Sequence, residues 1–160
     1  MSLKRTRPID GLYDEVKDFD LVLVPDAPLA SALNRRLDRP QFGTFATTPR
    51  RLAAGRREAA EDRLAFLEVV QSTDLDWKTA AYVVGNVLQC WEHQGDRDAI
   101  LDYDAYADPA TREIVETLAD LQTTSRRLTD YEVDADQDLA VVGPTELTTL
   151  ERSILPADYT

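Results

Sequence analysis

The sequence predicts an α/β fold: a parallel sheet of about three strands with an inserted helical subdomain. Two strand-then-helix units support this prediction, Asp20–Leu37 near the start of the chain and Asp138–Leu155 at its end. Apolar residues recur at helical spacing through most of the chain between them. Because parallel strands need long crossover connections, strand-helix units with helices between them favour one parallel sheet in a helix-rich protein.

The predicted strands are short and apolar. Asp20–Val24 contains four apolar residues in succession, which indicates burial on both faces of the sheet. Leu139–Val142 has the same character, and Phe42–Ala46 is predicted as the strand between them. A helix-start signal follows the first two strands, since Asp26 and Thr48 are residue types that cap helix N-termini. The three strands should therefore belong to one sheet.

Helical periodicity predicts four further helices. They are Ile9–Asp18, Glu58–Val70, Leu75–His93 and Pro109–Leu128. The longest carries Trp77 and Trp91 on one apolar stripe, which we interpret as core, and Gly95 is its predicted stop. Residues 56–130 are thus the predicted helical insertion, and residues 1–55 with 131–160 form the predicted α/β part of a single domain.

Charge is the most informative part of the composition. The 160 residues include 30 Asp and Glu against 18 Lys and Arg, a net charge of −12, and only three of the basic residues are lysine. Abundant acid with little lysine is typical of proteins from salt-loving cells, although an acidic protein from an ordinary cell remains the alternative. The sequence has no apolar run of membrane-spanning length and no secretory signal, so we expect a cytoplasmic protein without membrane contact. Its single cysteine, Cys90, excludes an internal disulfide and is expected in the core.

The loop after the first strand lacks the residues that bind nucleotide phosphates. Such loops need glycines, a lysine and a Ser or Thr for magnesium. Here the loop contains Pro25, Asp26 and Pro28 and has neither glycine nor lysine. The third strand likewise ends at Val142-Gly143 without a carboxylate for magnesium. We therefore predict no nucleotide cofactor and no bound metal.

One segment resembles a DNA-contacting part of known motor proteins. The order of the stretches is similar to the first motor domain of UvrD-like helicases. Gly43–Ala53, with the sequence GTFATTPRRLA, resembles the helicase segment that follows the second strand. In that family a Thr-Phe-Thr run in this segment meets single-stranded DNA.

The last strand and helix resemble a second motif. Val141–Glu151 is similar to the Asp-Gly-Phe-x-Asp-Phe-Thr-x-x-Glu pattern of AddB-type subunits of helicase–nucleases. Gly143, Thr148 and Glu151 match, but Val142 stands where the family has its acid. The resemblance implies an incomplete RecA-like (P-loop NTPase-like) fold whose motor function is lost. In AddB-type proteins a PD-(D/E)XK nuclease domain lies far downstream, so the chain is expected to be the N-terminal part of a longer protein.

An arginine cluster is the candidate binding surface. Eight of the fifteen arginines lie within residues 35–63 together with four carboxylates, a local balance of +4 in a chain of −12. Arginine binds phosphate bidentately, and hydroxyls with an aromatic ring suit a strand of bases. The predicted DNA-binding residues are Thr44, Phe45, Thr47, Arg50, Arg51, Arg35 and Arg36. Alternatively, these arginines pair with the protein's own carboxylates.

No catalytic group is marked by spacing. The only histidine, His93, lacks a predicted partner and is interpreted as structural. The leading hypothesis is a non-catalytic helicase-like domain of a DNA-repair nuclease. Its expected partners are single-stranded DNA, a helicase partner subunit or downstream domains of the same chain. The alternatives are an interaction or structural domain without DNA contact and, least supported, a stand-alone enzyme.

Overall fold

A three-stranded parallel sheet forms the centre of the structure. The structure, a computed structural model, describes residues 8–160 and only the backbone at positions 58 and 59. The strands are β1 (Leu21–Leu23), β2 (Ala46–Thr47) and β3 (Leu139–Val141), in the order β2-β1-β3. Val22 of β1 lies opposite Ala46 on one side and Ala140 on the other. The predicted helix-rich α/β class with a small parallel sheet is confirmed, whereas the RecA-like topology stays a prediction.

Eight α-helices surround the sheet within the described residues. They are α1 (Ile9–Val16), α2 (Ala27–Asn34), α3 (Pro49–Ala54), α4 (Glu58–Ser72), α5 (Trp77–Gln94), α6 (Pro109–Asp120), α7 (Thr124–Asp130) and α8 (Thr149–Ser153). Short 3₁₀ turns occur at Gly55–Arg57, Ala99–Asp102, Asp104–Tyr106 and Pro144–Glu146. The caps predicted for α2 and α3 are present, because Asp26 and Thr48 each accept a hydrogen bond from the third backbone N–H that follows.

Two predicted elements are wrong. The strand predicted over Phe42–Ala46 does not form over that range, and β2 begins only at Ala46. Gly43 has a φ of +87°, which breaks the extended backbone before the sheet begins. The helix predicted over Pro109–Leu128 is two helices, since Thr123 caps a new one by accepting a hydrogen bond from the Arg126 N–H at 3.1 Å.

The apolar stripe predicted on the longest helix is only partly buried. Trp91 is 3% exposed, as expected of a core residue, but Trp77 is 57% exposed. Trp77 is the first residue of α5, so its ring reaches past the core and packs edge-on against Phe66 with a centroid distance of 4.7 Å. Cys90 is half-buried rather than in the core.

Each face of the sheet has its own hydrophobic core. On one face α1 and α2 cover β1, with Tyr13 and Leu33 among the buried residues. On the other face α3, α5, α7 and α8 cover the same strand through Leu23 and Trp91. A third core lies among α4, α5 and α6, around Val69 and Ile114. Because helices cover both faces, the sheet is accessible only along its outer edges.

A side-chain amide closes the outer edge of β2. The Asn34 Nδ2 donates to the Ala46 carbonyl at 2.8 Å, and the Asn34 Oδ1 accepts from the Ala46 N–H at 2.9 Å. The amide therefore makes the two backbone hydrogen bonds to the buried Ala46 that a neighbouring strand would otherwise make. At the opposite edge, the Thr160 backbone accepts from Val141 N–H at 2.7 Å and donates to the Leu139 carbonyl at 3.3 Å. Both edges are thus protected against unwanted strand pairing.

Replacing Asn34 with leucine is expected to lower the free energy of unfolding by about 1–2 kcal/mol, because two buried backbone groups lose their partners. Light scattering should also show increased self-association, since the edge of β2 is opened. Urea denaturation of Asn34→Leu measures the first effect. Ser31→Ala, one turn earlier on α2, is the matched control, and equal stability of all three proteins would contradict this role for Asn34.

Candidate nucleic-acid interface

A cleft opens where α2 and α3 diverge at the edge of the sheet. Because α2 lies on one face and α3 on the other, the gap between them runs along the β2 edge, where Asn34 covers Ala46. The cleft has a volume of about 540 Å³. Its polar lining consists of Ser31 and Asn34 from α2, Thr44, Thr47 and Thr48 around β2, and Arg51 and Arg56 from α3 and the turn after it.

The cleft is positive in a strongly negative chain. Arg51 and Arg56 line it, and among the side chains that the structure describes no carboxylate is part of the lining. Both arginines are exposed, and neither forms an ion pair with any residue in the described part of the chain. Four hydroxyls accompany them. In a protein of net charge −12 such a cleft selects anionic groups.

Three of the predicted DNA-binding residues come together here. Thr44, Thr47 and Arg51 all line the cleft, but Thr47 is only 4% exposed and its hydroxyl donates to the Thr48 carbonyl at 3.5 Å. Arg56, which belongs to the arginine cluster but was not among the predicted contacts, joins them. Arg35 is exposed but is not part of the lining. The cleft thus contains a subset of the residues that the sequence predicts.

The structure places Phe45 in the core, which corrects its predicted position on the DNA-binding surface. Its ring is 2% exposed and lies in the core, with the Tyr13 ring centroid 6.2 Å away and the Arg39 guanidinium 5.8 Å from its centroid. A ring this buried presents no face to a base. Phe42 is fully exposed, at 102%, and lies two residues before Thr44. Its flanking turn residues, Pro40 and Gly43, were the sequence signal for an exposed loop.

Arg50 and Arg36 each form an ion pair with a carboxylate of the protein itself. The Arg50 Nη1 lies 2.5 Å from Glu92 Oε2, which links α3 to α5. The Arg36 Nε lies 2.5 Å from Asp10 Oδ1, which links α2 to α1. For these two arginines the structure shows the internal pairing of the alternative interpretation, and their role as DNA contacts stays a prediction.

The Arg50–Glu92 pair lies in a desolvated position. The Glu92 side chain is 13% exposed, and it also accepts a hydrogen bond from the Ser125 hydroxyl at 3.3 Å. Burial raises the pKa of Glu92 above its usual range, although the Arg50 charge opposes that rise. The pair therefore has a structural role, joining α3, α5 and α7.

The carboxyl ends of the parallel strands β1 and β3 lie side by side, followed by the loops of Asp26 and Gly143. At this point the Asp26 carboxylate accepts a hydrogen bond from the Leu29 N–H at 2.8 Å, so it occupies the N-terminus of α2. A Cβ on Gly143 would lie 3.6 Å from the Pro25 ring, so the two loops pack closely. Glu151 is buried and completes a capping box with Thr148 on α8. These residues therefore have structural roles at this end of the sheet.

Comparison with known proteins found no matching family model, no matching curated protein and no matching solved structure. None of the helices within residues 8–160 is both long and apolar enough to cross a membrane. In the same range, no three His, Cys, Asp or Glu side chains are grouped as ligands for a metal ion. Function is therefore argued from the cleft.

Proposed function

We propose that this chain is a non-catalytic, helicase-like domain that binds single-stranded DNA in the cleft between α2 and α3. A single observation carries this proposal. In a chain of net charge −12, the cleft combines four Ser and Thr residues with two arginines that have no ion-pair partner among the described residues, and none of the described side chains that line it is a carboxylate. Arginine donors in a fork geometry suit phosphate oxygens.

The shape of the cleft also suits a nucleic-acid strand. Its volume of about 540 Å³ is within the range of ligand-binding clefts. The floor cannot easily accept an added peptide strand, because Asn34 already satisfies the outward backbone groups of Ala46. Side chains therefore have to recognise the strand. Arg51 and Arg56 contact its phosphates, and a base stacks on the exposed Phe42 ring near Thr44.

Salt should weaken this binding only moderately. On single strands each neutralised phosphate contributes about −0.7 to the slope of log affinity against log salt, so two arginine contacts give about −1.4. At 1 M salt the screening length is about 3 Å, so stacking and shape have to supply the remaining affinity. A base-stacking ring such as Phe42 is consistent with a protein adapted to high salt.

In this proposal the domain holds DNA or a partner subunit in the cytoplasm while a nuclease acts elsewhere in the protein. The loops of Asp26 and Gly143 make no contribution to ATP hydrolysis. The second candidate is an interaction domain without DNA contact. It is favoured by Arg36 and Arg50, because their internal pairing shows that part of the arginine cluster serves the fold.

The test is fluorescence anisotropy with a labelled thymidine oligonucleotide of about 12 nucleotides, at salt concentrations of about 0.1 and 1 M. Arg51→Ala combined with Arg56→Ala should weaken binding roughly tenfold or more, because two charge-assisted contacts are lost. Arg112→Ala combined with Arg152→Ala removes the same charge from exposed positions on α6 and α8, and it should leave binding within about twofold.

Three results would overturn the proposal. Equal weakening by both double variants would show that binding follows net charge rather than the cleft. Absence of binding by folded wild-type protein at either salt concentration would leave the second candidate. Saturable micromolar binding of a fluorescent ATP analogue would contradict the inactive motor, and circular dichroism at each salt concentration checks that every variant is folded.

A further inference from the structure

A second groove runs along α5, on the helix face next to its buried stripe. Asn86, Gln89 and Gln94 contribute side-chain amides to it. The two 3₁₀ turns after α5 close its other side with Ile100, Tyr103 and Tyr106, and the groove has a volume of about 280 Å³. None of the described residues that line it is Asp, Glu, Lys or Arg, although these four types make up 30% of the chain.

The walls of this groove are aromatic and held in position. The Tyr106 hydroxyl donates to the Tyr82 hydroxyl at 3.2 Å and accepts from the Asn86 Nδ2 at 2.9 Å. Tyr82 and Tyr103 are 65% and 52% exposed, so both rings are accessible. Tyr106, which these hydrogen bonds hold in position, and the exposed Tyr103 ring provide aromatic contact area at a low entropic cost, because a tyrosine side chain has only two χ angles. Ile100, which is 2% exposed, forms an apolar floor.

The rim of the groove is acidic. Asp102 ends the 3₁₀ turn that contributes Ile100 to the groove and directly precedes the lining Tyr103, and Asp96 lies two residues after the lining Gln94. Burial raises the pKa of the Cys90 thiol, and the negative charges of Asp102 and Asp96 raise it further. Asp98 is paired with Arg97 at 3.0 Å, whereas Asp102 forms no ion pair with any residue that the structure describes. Negative charge around a neutral aromatic groove repels phosphate and attracts cations.

We propose that this groove docks a basic segment of a protein partner and takes a lysine or arginine side chain of that segment. The aliphatic stem of such a side chain packs against Ile100 and Tyr103, and its cation lies near Asp102 and the tyrosine rings. The amides of Gln89 and Gln94 are placed to hydrogen-bond the backbone of the docked segment. The charge and lining of this groove are opposite to those of the α2–α3 cleft, so the inference is independent of DNA binding.

The probes are three fluorescein-labelled peptides of the form Gly-Ser-X-Gly-X-Ser-Gly, in which X is arginine, norleucine or glutamate. We expect saturable binding of the arginine peptide to the full chain and none of the glutamate peptide. In ¹⁵N–¹H NMR spectra, the arginine peptide should shift the side-chain amide signals of Gln89 and Gln94. All measurements use the lowest salt at which circular dichroism shows the chain folded, because screening weakens the attraction.

Variants show whether peptide binding depends on this groove or only on the overall negative charge of the protein. Tyr103→Ala and Asp102→Asn should each weaken binding of the arginine peptide roughly fivefold or more. The first variant removes one wall of the groove, and the second removes one negative charge from its rim. The matched controls are Tyr159→Ala and Asp136→Asn, exposed positions outside the groove, which should leave the affinity within about twofold.

Each other outcome would overturn the proposal. Equal weakening by Asp102→Asn and Asp136→Asn would show unspecific attraction to an acidic protein. Binding of arginine amide as tightly as the peptide would indicate a small-cation site instead of a protein-docking groove. Stronger binding of the norleucine peptide than of the arginine peptide would show that the groove does not recognise a cation. Shifts of the Gln89 and Gln94 side-chain NMR signals on adding the thymidine oligonucleotide would show that the groove binds nucleic acid.

Discussion

Replacing Phe45 with alanine is expected to lower the free energy of unfolding by about 3–5 kcal/mol. The ring is 2% exposed, packs edge-on against Tyr13 and belongs to the core beneath α1 and α2. Its removal therefore leaves a cavity between the sheet and these helices. Urea denaturation followed by circular dichroism measures the effect as a lower midpoint with an unchanged slope.

Phe42→Ala is the matched control, because it deletes the same side chain at a fully exposed position three residues earlier. It should change stability by less than about 0.5 kcal/mol. If the cleft binds DNA as proposed, Phe42→Ala lowers the affinity for the oligonucleotide roughly fivefold or more, since stacking of one base on an aromatic ring contributes about 1–3 kcal/mol. A stable Phe45→Ala variant that has lost DNA binding would instead restore the role predicted for Phe45 from the sequence.

Replacing Arg50 with alanine is expected to lower the free energy of unfolding by about 3 kcal/mol, the lower end of the range for breaking a buried pair. The Arg50 side chain is 31% exposed, but the Glu92 side chain is 13% exposed. In the variant, the Ser125 hydroxyl at 3.3 Å still donates to that carboxylate, but the Arg50 charge is lost. The loss of a link between α3 and α5 adds to the effect. Urea denaturation at neutral pH measures it.

The same variant should have a distinctive pH dependence. Burial already raises the pKa of Glu92, and removal of the Arg50 charge raises this pKa further. A carboxyl whose native pKa exceeds its unfolded value destabilises the fold above the native pKa, and this cost disappears below the unfolded pKa of about 4.3. Arg50→Ala should therefore recover stability, relative to wild type, as the pH falls from 7 toward that value.

The control for this pH effect is Arg50→Ala combined with Glu92→Gln. It removes the titrating group, so its stability relative to wild type should not recover as the pH falls. Glu61, whose pKa is lowered by its hydrogen bond from Arg127, contributes the opposite trend to all of these proteins and cancels in the comparison. Identical pH profiles of the single and double variants would show that Glu92 does not carry the effect.

Local signals in the sequence were sufficient for the fold class. The apolar run at β1, the caps at Asp26 and Thr48 and the helical spacing of α5 each depend on residues within a few positions of one another. The same locality explains the wrong boundaries. The β2 strand starts late because of the backbone turn at Gly43, and the cap at Thr123 divides a helix whose apolar spacing continues through the break.

The cleft contains part of the surface that the sequence predicts. Thr44, Thr47 and Arg51 line it because Thr and Arg cluster in one segment, and that segment lies at one edge of the sheet. Ser31 and the closing role of Asn34 were missed, because they lie on a helix whose distance from β2 is determined only by packing. The sequence carried no signal for either of them.

The sequence by itself determined that this is an acidic, helix-rich α/β chain whose arginines are concentrated in one segment. Only the tertiary structure decided which of those arginines remain available to a ligand. Arg50 pairs with Glu92, 42 residues away, and Arg36 with Asp10, 26 residues away, whereas Arg51 lines an open cleft. Adjacent residues such as Arg50 and Arg51 look alike in sequence, but a helix points them in different directions, and the partner that each meets is set by distant elements.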